Sequence, residues 1–392
     1  MSDTVIVSAA RTPVGSFLGV LAPLTAPKLG AIAIKAALER AGLKPDQVEE
    51  VIMGCVLSGG VGQAPARQAM VYAGLPWSVC ALTINKVCGS GLKAVMLADA
   101  MIQNGDAEVV IAGGMESMSN APYILPGARQ GYRMGDQKVV DLMIHDGLWD
   151  VYKDCHMGAC ADMLGKEWKI SRKEQDDFCI RSYKRALKSM SDGKFKDEIA
   201  AVEIPQKKGA PVVISEDEEP KKFKEDKIPE LKPAFTKDGS VTAANASSLN
   251  DGAAALVVMS KKKAEALGLK PLARIVGHCS AGKESDWFTI APIEAVKKLF
   301  KKTGYGADKI DLFEINEAFS VQVIAAEKEF KLSPDKINVN GGSVAIGHPI
   351  GASGARILTT LLYAMKDRKA KTGLATLCIG GGEAAAMIVE AL

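Results

Sequence analysis

Aromatic residues make up only 5% of this 392-residue chain. Against 38 glycines and abundant alanine, that favours close packing of helices and strands over an aromatic-rich binding surface. Charge of one sign is lacking too: the formal net charge of +3 argues against non-specific nucleic-acid binding as the main role. No apolar run approaches the roughly 20 residues of a membrane span. The eight cysteines are scattered and form no CxxC pair, which argues against zinc and leaves most of them as expected small, reduced, buried residues. No GxGxxG follows the first strand and no GxxxxGK[ST] is present, so dinucleotide and phosphate-loop readings are weak. The opening "MSDTVIVSAARTPVG" carries no basic or apolar leader and reads as a strand; a cytoplasmic protein is expected.

What is there is an ordinary globular balance, 47% apolar and 24% charged, long enough for two or three units. "DTVIVSAA" reads as a strand. "APKLGAIAIKAALERAGL" reads as a helix closed by Gly42, and "VEEVIMGCV" as the next strand. "GSGLKAVMLADAMIQNGD" is then a helix and "AEVVIAGG" a buried strand. The alternation predicts an α/β fold with a parallel, doubly wound sheet.

The order recurs downstream. "APIEAVKKLFKKTGYGADKIDLFEIN" (291–316) lies over residues 30–54, matching Gly42 with Gly304 and Gly54 with Asn316. "CGSGLKAV" (88–95) lies over "GASGARIL" (351–358), and "VVIAGGME" (109–116) over "TLCIGGGE" (376–383). Matches in one order at near-constant spacing predict two duplicated halves. The expected organisation is residues 1–118 as the N-terminal half and 119–247 as an inserted loop domain. Residues 248–270 complete the first half, and 271–392 form the C-terminal half. The insertion is expected to cover the sheet ends and hold substrate; its charge-rich run "SEDEEPKKFKEDKIPE" reads as solvated surface.

Cys88 stands at a strand-to-helix junction before Gly-Ser-Gly. A thiol there feels the positive end of the helix dipole, which favours thiolate. Taken alone, a packed cysteine in a glycine turn and a nucleophile explain it equally. Its counterpart in the second half is Gly351, so the repeat does not require a thiol. Gly351 belongs to "NVNGGSVAIGHPIGASGAR" (338–356), in which His348 is wedged between Gly347 and Pro349. That placement favours a rigid imidazole base over a structural histidine. Cys378 ends an apolar strand where the first half has Ile111, and Gly380 beyond it offers a backbone N–H. Asn316 closes "DLFEIN" and is expected to face the same crevice. Two thiols, an imidazole, an amide and free N–H groups fit acyl transfer through a thioester.

At these residues the chain resembles the thiolase family. "NKVCGSGLKA", "GGMESMS", "VTAANASSLNDGAAAL", "NEAFS", "NVNGGSVAIGHPIGASGAR" and "CIGGGEAAAMIVE" carry the resemblance over essentially the whole length. "CHMG" (155–158) is similar to the acetoacetyl-CoA, biosynthetic type. The resemblance implies a thiolase-like fold, with two duplicated α/β halves whose central mixed sheets pack in layers. It implies that Cys88 carries an acetyl group, that His348 accepts its proton, and that Cys378 removes the α-proton of a second acetyl-CoA. His348 and a water on Asn316 would hold the enolate oxygen, and the N–H groups of Cys88 and Gly380 the tetrahedral oxyanion. Leu148, His156, Met157, Phe235, Ala243, Ser247, Ala318 and Phe319 would contact pantetheine and acyl group, each apolar one having ordinary core as its alternative.

The implied partners are acetyl-CoA, acetoacetyl-CoA and CoA, in a homotetramer assembled partly through 123–143. No metal or redox cofactor, nucleic acid or membrane is implied. Pro220 stands where the family has a basic residue, with Lys221 and Lys222 adjacent, and Ala244 and Ser248 replace common glycines. Phe288 is bulky beside the expected acyl pocket. The alternatives are a degradative 3-ketoacyl-CoA thiolase of broader chain length, a non-catalytic acyl-CoA binder and a thiol redox switch.

Overall fold

A computed structural model describes residues 3–392. The first part of the chain runs β1 (Thr4–Arg11), α1 (Ala26–Ala41), β2 (Glu50–Gly54), α2 (Pro65–Tyr72), β3 (Cys80–Ile84), α3 (Ser90–Asn104) and β4 (Val109–Ser117). Two helices, α4 (Met157–Glu167) and α5 (Arg172–Ser191), stand among ribbons and loops in the middle. Then follow β5 (Asn250–Ser260), β6 (Ala273–Gly282), α6 (Ala291–Thr303), β7 (Leu312–Ile315), α7 (Ser320–Phe330), α8 (Ile350–Arg368), β8 (Thr372–Ile379) and β9 (Glu383–Ala391). The glycines expected to stop two matching helices do so. Gly42 and Gly304 cap α1 and α6 in the left-handed region at φ 67° and 74°, which costs a residue without Cβ nothing.

The strands run β3-β2-β4-β5-β1-β6-β9-β8-β7, with the two-residue strand Gly15–Ser16 on β5. Outward from the centre, β1, β5, β4, β2 on one side mirror β6, β9, β8, β7 on the other. Each wing has two antiparallel pairings and then a parallel one. The sheet is therefore mixed, as the resemblance implied, and not the parallel sheet that helix–strand alternation predicted. β9 runs against β8 because it follows it through the short turn at 380–382 with no crossover helix between, and β5 holds the corresponding antiparallel place in the other wing. The wings meet edge to edge over only two pairings, Val5↔Arg274 and Ile6↔Ala273.

Alternation along the strands sorts the core into layers. Val5, Val51, Ile111 and Val257 face α1 and α2. Ile6, Ile52, Val110 and Leu256 face α3 and α8, which also receive Leu377, Ile379 and Met387 from the other wing. The outer face of that wing, with Leu374, Cys378 and Ile388, packs on α4, α6 and α7. The two helices sandwiched between the wings touch through glycine. A Cβ on Gly91 would lie 2.6 Å from the Ala355 nitrogen, and one on Gly354 would lie 2.3 Å from the Leu92 nitrogen.

The charge-rich run at 215–230 is not simply solvated. Asp217 is fully buried and takes both Arg11 terminal nitrogens at 2.7 and 2.9 Å, while Glu198 takes Arg11 Nε at 2.6 Å. A buried guanidinium needs such partners, so these acids were drawn in by Arg11. The segment 123–143 forms an arm, in which Tyr123–Ile124 pairs with Val140–Asp141 and Met134 is 92% exposed.

Candidate active site

Between β3 and α3 the chain turns in five residues. Asn85 Oδ1 accepts from the Val87 N–H at 2.9 Å; Ser90 Oγ accepts from Lys86 N–H at 2.8 Å and donates to the Val87 carbonyl at 2.7 Å. These bonds hold Val87 at φ 44°, a conformation that costs a β-branched residue about 1–3 kcal/mol. The result is an elbow with Cys88 at its tip. Its glycines serve packing: a Cβ on Gly89 would strike Ile379 Cδ1 at 2.3 Å, and Gly91 admits α8. Burial pushes the Cys88 thiol up to about 11, against hydrogen bonds from the N–H groups of Gly380 and Cys88 itself. The helix start therefore does not make a resting thiolate, as the sequence suggested; desolvation outweighs it.

His348 lies just before α8, after Gly347, whose φ of 116° only glycine adopts freely. Its backbone N–H donates to Asn250 Oδ1 at 2.7 Å. Its Nδ1 is 2.6 Å from Ser353 Oγ, which donates its one hydrogen to the Pro349 carbonyl at 2.9 Å. Ser353 therefore accepts from Nδ1–H, and Nε2 is left as a bare lone pair with no partner among the described residues. Burial, then the nearby Arg356 charge, lower the imidazole to about 3, so it is neutral at ordinary pH.

Cys378 is the penultimate residue of β8, and its Sγ donates to Gln322 Oε1 at 2.9 Å. Burial raises this thiol well above the ordinary range, and the charge of Cys88 adds to the effect, so the two sulfurs sense each other. Asn316 follows β7. Its Oδ1 accepts from Ser343 Oγ at 2.6 Å, and Ser343 in turn accepts from Arg356 Nη2 at 2.6 Å. That fixes the amide and leaves Nδ2 without a protein partner among the described residues.

A cavity of about 400 Å³ takes Cys88, His348 and Gly380 onto its wall. Leu148, His156, Met157, Phe235, Ala243, Ser247, Ala318 and Phe319 all line it, as does Phe288. Cys378 and Asn316 do not: both are fully buried at the ends of adjacent parallel strands, beneath the turns that carry Gly380, Ala318 and Phe319. The expectation that Asn316 faces the crevice is corrected to that extent. His156 has a second task, since its Nδ1 caps α4 by accepting from Gly158 N–H at 3.0 Å while its ring stacks on Phe235 at 4.6 Å. Phe319 meets both Phe235 and Phe288 edge-on, closing the floor.

Ala243 also lines an adjoining groove of about 220 Å³ carrying Lys222, Lys224 and Lys227. Lys221 does not line it and pairs with Glu216 at 2.7 Å; Lys222 and Lys227 also carry acid partners, Glu219 at 3.1 Å and Glu230 at 3.2 Å. Sequence reasoning missed Met118, Met143 and Ile350 in the cavity, and Gln322, Ser343, Ser353 and Arg356 behind it. Only Gln322 and Arg356 carried a signal, as polar side chains inside the otherwise apolar runs "SVQVIAA" and "ARILTTLL".

With this geometry in hand, comparison with known proteins is informative. The thiolase N-terminal domain matches residues 4–262 and the thiolase C-terminal domain residues 269–391. The chain is 57% identical to an acetyl-CoA acetyltransferase of Cupriavidus necator, covering 100% of both chains. It is 53% identical to an acetyl-CoA acetyltransferase of Pseudomonas aeruginosa, covering 99% of both. It is 50% identical to the "Acetyl-CoA acetyltransferase ERG10, cytosolic" of Gibberella zeae, covering 99% of this chain and 98% of that one. Among solved structures, the Acat5 thiolase from Ascaris suum in complex with coenzyme A superposes with a TM-score of 0.95 at 44% identity, covering 100% of both chains.

Proposed function

The chain belongs to the thiolase family, and on that premise we propose that it is an acetyl-CoA C-acetyltransferase, joining two acetyl-CoA into acetoacetyl-CoA and CoA and running the reverse thiolysis. The observation that carries the reading is the pairing of two thiols: Cys88 on the cavity wall, under the Gly380 N–H, with Cys378 close enough to sense its charge.

In the first half-reaction Cys88 passes its proton to His348 Nε2 as its sulfur attacks the thioester carbon. The N–H groups of Cys88 and Gly380 hold the oxyanion, and the departing CoA sulfur takes the proton from His348. In the second, Cys378 gives its proton to the vacated His348 Nε2 and, as thiolate, removes a methyl proton from acetyl-CoA. The burial that pushes this thiol up makes its thiolate a strong base. His348, now protonated at both nitrogens, keeps its Nδ1–H on Ser353 Oγ and, beside a water on Asn316 Nδ2, donates from Nε2 to the enolate oxygen. The enolate attacks the acetyl carbon, and Cys88 leaves as thiolate and takes the proton from His348 Nε2, with Cys378 again a thiol. The thioester itself acidifies the α-carbon, so the reading calls for no metal or redox cofactor.

The apolar cavity suits pantetheine, and the groove with Lys222, Lys224 and Lys227 suits the anionic nucleotide end of CoA. The reading includes a homotetramer, supported by the exposed arm at 123–143, and a cytoplasmic location, supported by eight free thiols. Phe288 and Phe319 close the floor, which favours short acyl chains over the degradative alternative. Steady-state thiolysis of acetoacetyl-CoA against a long-chain 3-ketoacyl-CoA, with Cys88→Ala as control, tests this. A kcat/KM at least tenfold higher for acetoacetyl-CoA is expected; preference for the long chain would overturn the assignment.

A further inference from the structure

Gln322 hydrogen-bonds to both strand ends beneath the cavity. It stands on α7, 1% exposed. Its Nε2 donates to the Asn316 carbonyl at 3.0 Å, and its Oε1 accepts from the Cys378 thiol at 2.9 Å. The Asn316 carbonyl can only accept, so the amide has a single satisfactory orientation. Flipping it would set carbonyl against carbonyl and an N–H against the S–H. The oxygen is therefore fixed on the sulfur by a bond made elsewhere.

We infer that Gln322 is the positioning residue of the proton-transfer step, aiming the Cys378 S–H and favouring sulfur with its proton over bare thiolate. This rests on the reading of Cys378 given above. When the thiolate takes a methyl proton, the C–H bond breaks and its electron pair enters the enolate. The S–H bond that forms finds its acceptor already in place. Before transfer, the same oxygen faces the thiolate with no hydrogen between them, which strengthens the base. In thiolysis the proton leaves Cys378 along the reverse path. No further reactant enters.

The test separates the two half-reactions in the full-length enzyme. Acetylation of Cys88 by acetyl-CoA needs no Cys378 chemistry, whereas exchange of the acetyl-CoA methyl protons with deuterium oxide does. Gln322→Met, which fills the space without an acceptor fixed on sulfur, is expected to acetylate within twofold of wild type and to exchange at least tenfold more slowly. Gln322→Glu supplies the control for folding. Protonated, its carboxyl can donate to the Asn316 carbonyl and accept from Cys378 just as the amide does. Its exchange is expected near the wild-type rate at low pH and to fall as the carboxyl ionises, adding a limb to the pH profile that wild type lacks. Exchange in Gln322→Met within twofold of wild type, acetylation and exchange falling together in both variants, or no new limb in Gln322→Glu would each overturn the inference. Cys378→Ala marks the other failure. Wild-type exchange there would remove the assignment of Cys378 as base and this inference with it, whereas loss there with exchange kept in Gln322→Met would remove this inference alone.

Discussion

At the scale of single residues, the site is a set of groups kept neutral by burial and committed by their neighbours. Cys88 rests as a thiol raised to about 11, and His348 as an imidazole lowered to about 3. Neither is activated in the empty enzyme; the proton moves only as a thioester arrives to receive the sulfur. This has a measurable sign. Burial favours the neutral thiol, so thiolate grows as pH rises and shows no plateau until the raised value is approached. Inactivation of the free enzyme by iodoacetamide, followed at Cys88, should accelerate roughly tenfold per pH unit from pH 7 to 9, because the thiolate is the reactive form. A plateau below pH 8 would mean that the elbow's N–H groups, not desolvation, dominate.

At the scale of elements, the geometry depends on how closely α3 and α8 approach. Both helices begin at the site, one behind Cys88 and one behind His348, and glycines at 91 and 354 let their backbones meet. Glu116 ties the same junction: its carboxylate takes the N–H groups of Val56 and Leu57 from one half and of Gly351 from the other. Gly91→Ala would set a methyl 2.6 Å from the Ala355 nitrogen. The strain of overpacking should cost roughly 1–3 kcal/mol and lower activity by moving the elbow relative to His348. Thermal unfolding and kcat of this variant check it, and an unchanged Tm would show that the interface yields freely. Helices α1, α3 and α6 were legible in the sequence because their apolar period and the glycines that close them, Gly42, Gly105 and Gly304, are local properties. The strand directions were not. Nothing within "NDGAAALVVMS" says that its neighbour runs antiparallel, since pairing is decided by the rest of the chain.

At the scale of the whole molecule, duplication explains both what the fold repeats and what it adds. The mirrored strand order places β4 and β8, and the helices α3 and α8 that precede them, in equivalent positions about one central joint. On that joint a nucleophile was added to one half and an imidazole to the other. The added groups were legible because they break the repeat: Cys88 stands against Gly351, Cys378 against Ile111, and Asn316 against Gly54. The groups that hold them were not. Ser353 and Ser343 look like any small residue in a glycine-rich run, and only folding brings Ser343 against Asn316 or Asp217 against Arg11. Asp217 in the charge-rich run was misjudged for the same reason, because its buried partner Arg11 lies 206 residues away.

The central claim is that turnover passes through an acyl group on Cys88. Incubating the enzyme with acetyl-CoA alone, quenching in acid and mapping peptides by mass spectrometry tests it most directly. The account predicts an acetyl thioester on Cys88, discharged by added CoA and absent from Cys88→Ala. Condensation proceeding with no adduct, or with the acetyl group on another cysteine, would contradict it.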